Sequence, residues 1–172
     1  RMDSGLTYGE NLLQAGNAGS TYKTWQYAVS NILVGGCSNI CNEVANTKIG
    51  TAYYAAADDT ESLDYIESPY SKKSYQDFKD NILSIQYSLY GRNGATAASQ
   101  TSLMALLRNH GYGKAGQIET ALGEALASLD ACINSGVAFV DDKKAAVAGT
   151  AIEKINALDE LLNDAADWVA KQ

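Results

Sequence analysis

Within the six residues Ile66-Glu67-Ser68-Pro69-Tyr70-Ser71 the chain places a carboxylate, three hydroxyls and a helix start, and Asp77 and Asn81 follow on the next helix. Such a set can accept and donate hydrogen bonds to a polar ligand, or offer oxygen donors to a cation. Asp77 and Asn81 are four residues apart, so on a helix they project from one face, one turn from each other. Pro69 holds Ser68 in extended geometry, which puts the segment on a loop entering that helix. Two readings fit these residues. In one, Ser71 or Ser74 caps the helix, Asp77 sits in its first turn and Glu67 is a loop ion-pair partner. In the other, Glu67, Ser68, Tyr70 and Ser71 line a polar cleft backed by Asp77 and Asn81.

The rest of the chain carries no complete catalytic set. The single histidine, His110, ends a short helix, where a protonated imidazole favours the C-terminal dipole. There is no HExxH pair, no GxSxG elbow and no glycine-rich phosphate loop after a strand. Asp58-Asp59 and Asp141-Asp142 read as acidic groups at helix starts. Gly116 and Gly123 read as close-packing positions, and most of the 11 tyrosines, Tyr65 among them, as rim residues of a core. Cys37 and Cys41 share a helix face. Two buried thiols are the first expectation, with a disulfide or metal ligation as alternatives.

The elements that must hold the polar segment are helical. One proline and few β-branched runs point to an all-α chain. Residues 1–19, rich in Gly and Asn, read as irregular, with a turn at 10–14. A helix follows from about Thr21, with Trp25, Val29, Ile32, Gly36, Ile40 and Val44 on one face. Gly35-Gly36 would let a neighbour approach it closely. It either continues to Tyr54 or breaks near Asn46 or Gly50.

A polar connector, 58–70, leads to a helix ending at Tyr90 before Gly91, with Tyr75, Phe78, Ile82, Ile85 and Leu89 as its apolar face. A short helix starts at Ser99 or Ser102. The next, 114–135, carries Ile118, Leu122, Ala125, Leu129 and Ile133. The last, 141–171, has a seam of Val147, Ala151, Ile155, Leu158, Leu162, Ala165 and Val169. The spacing predicts an antiparallel four-helix-type bundle with an extra short helix over residues 20–172.

Composition narrows the partners. A net charge of −7 without basic clusters argues against nucleic acid. No apolar run is long enough to span a bilayer. The opening Arg1-Met2-Asp3-Ser4-Gly5 is neither a signal peptide nor a usual start, so a mature product or a fragment is expected.

Glu67-Ser68-x-Tyr70-Ser71, then Ser74-x-x-Asp77, Asn81-Ile82 and Tyr90-Gly91, resemble the C-terminal half of imelysin-like proteins. Trp25, the helix end at Glu43 to Lys48-Ile49, and the order Ser102-Leu103, Ile118 and a long closing helix agree with that half. The resemblance covers roughly residues 20–170. It implies an exported bacterial protein of the periplasm or outer cell envelope, lipoproteins included, linked to iron uptake and classed from sequence with the metallopeptidases.

It further implies two helical-bundle halves with a site between them, and a GxHxxE motif on the N-terminal half. His110 is followed by Gly-Tyr-Gly, so that motif is missing here. The expected partner is therefore the N-terminal, GxHxxE-bearing half of the same protein, with any divalent metal or iron bound only when that half is present. Glu67, Ser68, Tyr70, Ser71, Asp77 and Asn81 would form one wall, and this chain alone would be no complete enzyme. The alternative is a stand-alone binding or scaffolding bundle without metal or catalysis.

Overall fold

The computed structural model describes residues 4–56, 58–59, 64 and 66–172, and no strand occurs among them. The expected connector 58–70 lies partly outside the described residues, and Tyr65 lies wholly outside them. Six helices follow in order: α1 (Tyr8–Leu13), α2 (residues 25–54), α3 (Ser74–Tyr90), α4 (Leu103–Asn109), α5 (Ala115–Asn134) and α6 (Ala146–Val169). Helices α2, α3, α5 and α6 form the bundle. α5 packs along α6, α6 along α2 and α3 along α5, and a lighter α2–α3 contact closes the ring. None of the described helices is long and apolar enough to cross a membrane.

The apolar stripes explain three of the four long helices directly. Tyr75, Phe78, Ile82, Ile85 and Leu89 of α3 are all buried, as are Ile118, Leu122, Ala125 and Leu129 of α5. Ala151, Ile155, Leu158, Leu162, Ala165 and Val169 of α6 face them in the core. Ile133 is instead 36% exposed, because Cys132 takes the last core position of α5. α3 stops at Gly91, whose φ of 85° is open to glycine at little cost and whose N–H reaches Tyr87 O at 2.9 Å. Ser102 caps α4 by accepting from Ala105 N at 3.2 Å.

Four expectations need correction. Residues 1–19 are not irregular throughout: Thr7 and Glu10 form a reciprocal capping box that starts α1. Asn11 is fully buried there and accepts from Ser4 and from the Thr21 N–H. Neither Ser71 nor Ser74 caps α3. Lys73 stands at the cap position, while the Ser74 hydroxyl donates to Glu67 O and ties down the preceding loop. Asp141 and Asp142 do not start α6; both N–H groups turn back to Ala138 O, and the turn drives Phe139 into the core. Asp58 and Asp59 also lie outside any helix.

The fourth concerns glycine. A Cβ at Gly36, Gly116 or Gly123 would meet nothing, and one at Gly35 only its own helix's Asn31 side chain, so no neighbouring helix crowds these positions. The close approach occurs at Gly149, against the Tyr53 hydroxyl.

α2 does not break at Asn46 or Gly50. It runs on by widening: residues Asn31–Ser38 and Glu43–Ile49 are π-helical, with Asn39 N–H reaching Val34 O and Gly50 N–H reaching Ala45 O. Regular α-helix rotates a row of every fourth residue by about 40° per step. The π turns hold roughly four and a half residues, so a mixture averages near four and the rows run straight. Hence Val29, Leu33, Cys37, Cys41, Ala45 and Ile49 are all buried, at strict steps of four. Of the expected face, Val29 and Val44 are buried, while Trp25, Ile32 and Ile40 are only partly buried, flanking that row.

Helix α6 follows α2 in the opposite direction. Ser30 donates to Ala166 O, Asn163 donates to Ser38 Oγ, and Asn46 and Asn156 bond each other. At the far end Lys144 Nζ donates to Ala55 O, covering the C-terminal carbonyls of α2.

All three cysteines are free and buried, as the thiol reading expects. Burial pushes Cys37 up to about 12 and Cys132 up to about 11, and raises Cys41 as well, with Asp159 and Cys37 adding to it. A thiol-specific disulfide reagent at pH 8 should therefore label none of them in the native state and all three in denaturant. Labelling of the folded protein within minutes would show that the bundle opens readily.

Candidate functional site

The polar segment is held from two sides. Ser68 does not take the extended geometry expected before Pro69: its φ is +54°, left-handed and strained for a serine. It is fixed by a short hydrogen bond that its hydroxyl donates to Asp77 Oδ2, and by Lys72 N–H, which returns to Ser68 O at 3.0 Å. Glu67 reaches the other way. Its Oε2 lies 2.9 Å from Lys48 Nζ on α2. That oxygen is buried, and the contact has the distance of an ion pair without hydrogen-bond alignment, so charge attraction holds it. A loop carboxylate thus bridges to α2 while a loop hydroxyl bridges to α3.

Lys48 also lines a groove of about 540 Å³ between α2 and α3, and Asn81 forms its α3 wall. The α2 wall is built on two straight rows, with Asn42 beside them. One is Gly35, Asn39, Glu43 and Thr47; the other is Gly36, Ile40, Val44 and Lys48. Their four-residue spacing is that of the buried row, set by the same π-helical turns. Gly35 and Gly36, without side chains, line one end, and Glu43 and Lys48 supply opposite charges at the other.

Each expected site residue then has a place. Glu67, Ser68 and Asp77 are brought together at the start of α3, and Lys48, the partner of Glu67, lines the same groove as Asn81. Tyr70 is fully exposed, pointing to solvent rather than into the groove. Ser71 is also exposed, and its hydroxyl turns back to Ser68 O at 3.3 Å. The residues that sequence reasoning left out of the site are Lys48, Glu43, Asn39 and Thr47. For Asn39, Glu43 and Thr47 the signal was a polar residue at every fourth position; Lys48 had none, since its row is otherwise Gly36, Ile40 and Val44.

The donor set does not make a metal centre. Glu67 is engaged by Lys48 and Asp77 by Ser68. Among the described residues no three His, Cys, Asp or Glu side chains lie close enough to hold an ion. His110 is far from the cluster in role as well: it closes α4 and stacks against Trp25, with ring centroids 4.9 Å apart. What the arrangement can do by itself is present hydrogen-bonding groups and paired charges along one wall of an open groove.

The family model described as Imelysin matches residues 5–165. This chain belongs to the imelysin family. A crystal structure of an imelysin peptidase from Bacteroides ovatus aligns with 95% of the chain at a TM-score of 0.82 and 25% identity. A protein from Parabacteroides distasonis, described as an iron-regulated protein A precursor, aligns with 94% at a TM-score of 0.81 and 24% identity, and shows the fold. The chain spans less than half of each, 45% and 46% of their lengths. No curated protein matches it. The all-helical bundle described above is therefore the part of the imelysin fold that this chain spans, with α1 inside the matched region.

Proposed function

We propose that this chain is the C-terminal half of an imelysin-type envelope protein, and that the Glu67–Asn81 segment with the α2–α3 groove forms one wall of a site closed by the other half. The observation that carries the reading is the Lys48 bridge. It joins the Glu67, Ser68 and Asp77 cluster to the groove lined by Asn81, so two polar regions become one surface. The span of less than half of each solved relative supports a second half.

In this reading the histidine and glutamate of a GxHxxE motif, and any iron or other metal, belong to the absent half, and this chain alone performs no hydrolysis. It is exported and serves iron or metal acquisition. The description of one structural relative as an iron-regulated precursor is in keeping with that role.

The intact mass of the protein in its source cells tests the architecture. About twice the mass of 172 residues, or a co-purifying partner bearing GxHxxE, is the expected result. A lone species of this length would favour a stand-alone binding bundle. In the two-half protein, Glu67→Ala or Asp77→Ala should weaken iron binding roughly tenfold, about 1.4 kcal/mol, with helicity unchanged. Unaltered binding with a large fall in melting temperature would make the cluster purely structural.

A further inference from the structure

The α2–α3 groove does not end at its glycines. A second cavity of about 280 Å³ shares Gly35, Gly36 and Ile40 with it and is rimmed by Tyr8 of α1, which is 53% exposed. A third, of about 520 Å³, shares Ile32 and Ser88 with the second and reaches Leu103 and Leu106 of α4. Together they make one furrow along the seam where the ring of helices is most lightly closed. Lys48 and Ile32, towards its two ends, are roughly 20 Å apart along α2.

The furrow changes character along its length. Its Lys48 end is polar, with Glu43, Thr47 and Asn81. Beyond Gly36 it is apolar: Ile32, Ile40, Leu103 and Leu106 pack against the core but are each only partly buried. Ser88, the α3 wall there, turns its hydroxyl back to Ser84 O at 2.9 Å and asks for no partner. A Cβ at Gly36 would meet nothing, so no described side chain fills the floor. Helices α2 and α3 bond their backbone groups internally. An extended strand lying between them would leave its own N–H and C=O groups unmatched, whereas a helix brings them already paired.

We propose that a helix from the other half of the protein lies in this apolar stretch, between Ile40 and Leu106, and leaves the Lys48–Asn81 end uncovered. This placement rests on the two-half reading and deepens it, by naming the face on which the halves dock. Two observations name the occupant. The chain spans only 45% and 46% of two solved relatives, so more than half of each has no counterpart in it. The apolar stretch is also continuous with the polar end through Gly35, Gly36 and Ile40, so a half that closes over Lys48 and Asn81 passes across it. The docked helix carries small and apolar residues against Gly36 and the two isoleucines, at an interaxial distance of about 8 Å.

Single thiols introduced into the furrow test this, because the native cysteines are all buried. Gly36→Cys and Ser88→Cys are compared with Gly123→Cys, which lies on α5 and whose Cβ would also meet nothing. With a thiol-specific disulfide reagent at pH 8, all three should react readily in the 172-residue chain. In the two-half protein the furrow thiols should react roughly a hundredfold more slowly, with Gly123→Cys unchanged. Gly36→Arg should leave the melting temperature of the 172-residue chain equal or higher, since a helix-interior glycine is removed. It should lower that of the two-half protein by about 5 °C or more. Protection that grows with the concentration of the 172-residue chain alone would give the furrow to a second copy and overturn the proposal. Equal labelling of the furrow thiols in both proteins, or an unchanged melting temperature of the two-half Gly36→Arg variant, would overturn it too. The two-half reading, which rests on intact mass, would survive those results. A lone species in the source cells would remove both.

Discussion

Phe139→Ala should lower the stability of the bundle by about 3–5 kcal/mol, more than most single substitutions in a chain of this size. Phe139 lies between α5 and α6 in a stretch with no helical periodicity, yet it is 1% exposed. Its ring meets Phe78 at 5.8 Å and Tyr75 at 5.5 Å between centroids, and those two rings meet edge to face at 6.2 Å. Removing it opens a cavity beneath the start of α3 and takes away two aromatic contacts. For a domain of this length the melting temperature should fall by roughly 6–20 °C. A loss under 1 kcal/mol in urea denaturation would show that the α5–α6 turn can collapse into the space.

The second large effect is one of sign. Glycine to alanine in a helix interior normally stabilises by about 0.5–1 kcal/mol. Gly123→Ala should do so, because its Cβ would meet nothing. Gly50→Ala should destabilise by about 1–3 kcal/mol instead. A Cβ there would lie 2.8 Å from Ala45 O, the carbonyl that the Gly50 N–H itself reaches across the π turn. Backbone cannot move aside without breaking that turn, so the helix must rewind and shift the row that holds Lys48. Chemical denaturation of the two variants side by side checks this. A stabilised Gly50→Ala would mean that the π-helical turn is not maintained in solution.

The bundle was legible because α3, α5 and α6 obey α-helical spacing: Phe78, Ile82 and Ile85, or Ile155, Leu158 and Leu162, are read as a face and found as one. α2 was legible as a helix but misread in part of its facing: the α-helical step of three from Val29 to Ile32 left the buried row, which goes on at Leu33 and Cys37 in steps of four. Phe139 was invisible for a related reason, as a buried loop aromatic has no periodicity to betray it. In the polar segment the types and the loop position of Glu67, Ser68 and Asp77 were readable. Their partners were not, because Lys48 comes from another element and its contact with Glu67 depends on how α2 packs beside α3. Tyr70 and Ser71 show the converse: sequence density of hydroxyls says nothing of which way each one turns.

Along the α2–α6 seam, Ser38 to Asn46 advances eight residues while Asn163 to Asn156 advances seven. Over that span the π-helical turns of α2 therefore hold about one residue more than the α-helix facing them. Shortening α2 by one residue within 43–49 would return that stretch to α geometry with Leu33 and Ala52 still facing the core. The same deletion in α6 would turn everything after it by about 100°. Chain length is thus adjustable inside this one helix and nowhere else in the seam. Two relatives differing by a residue there can present the same groove with their lysines numbered one apart.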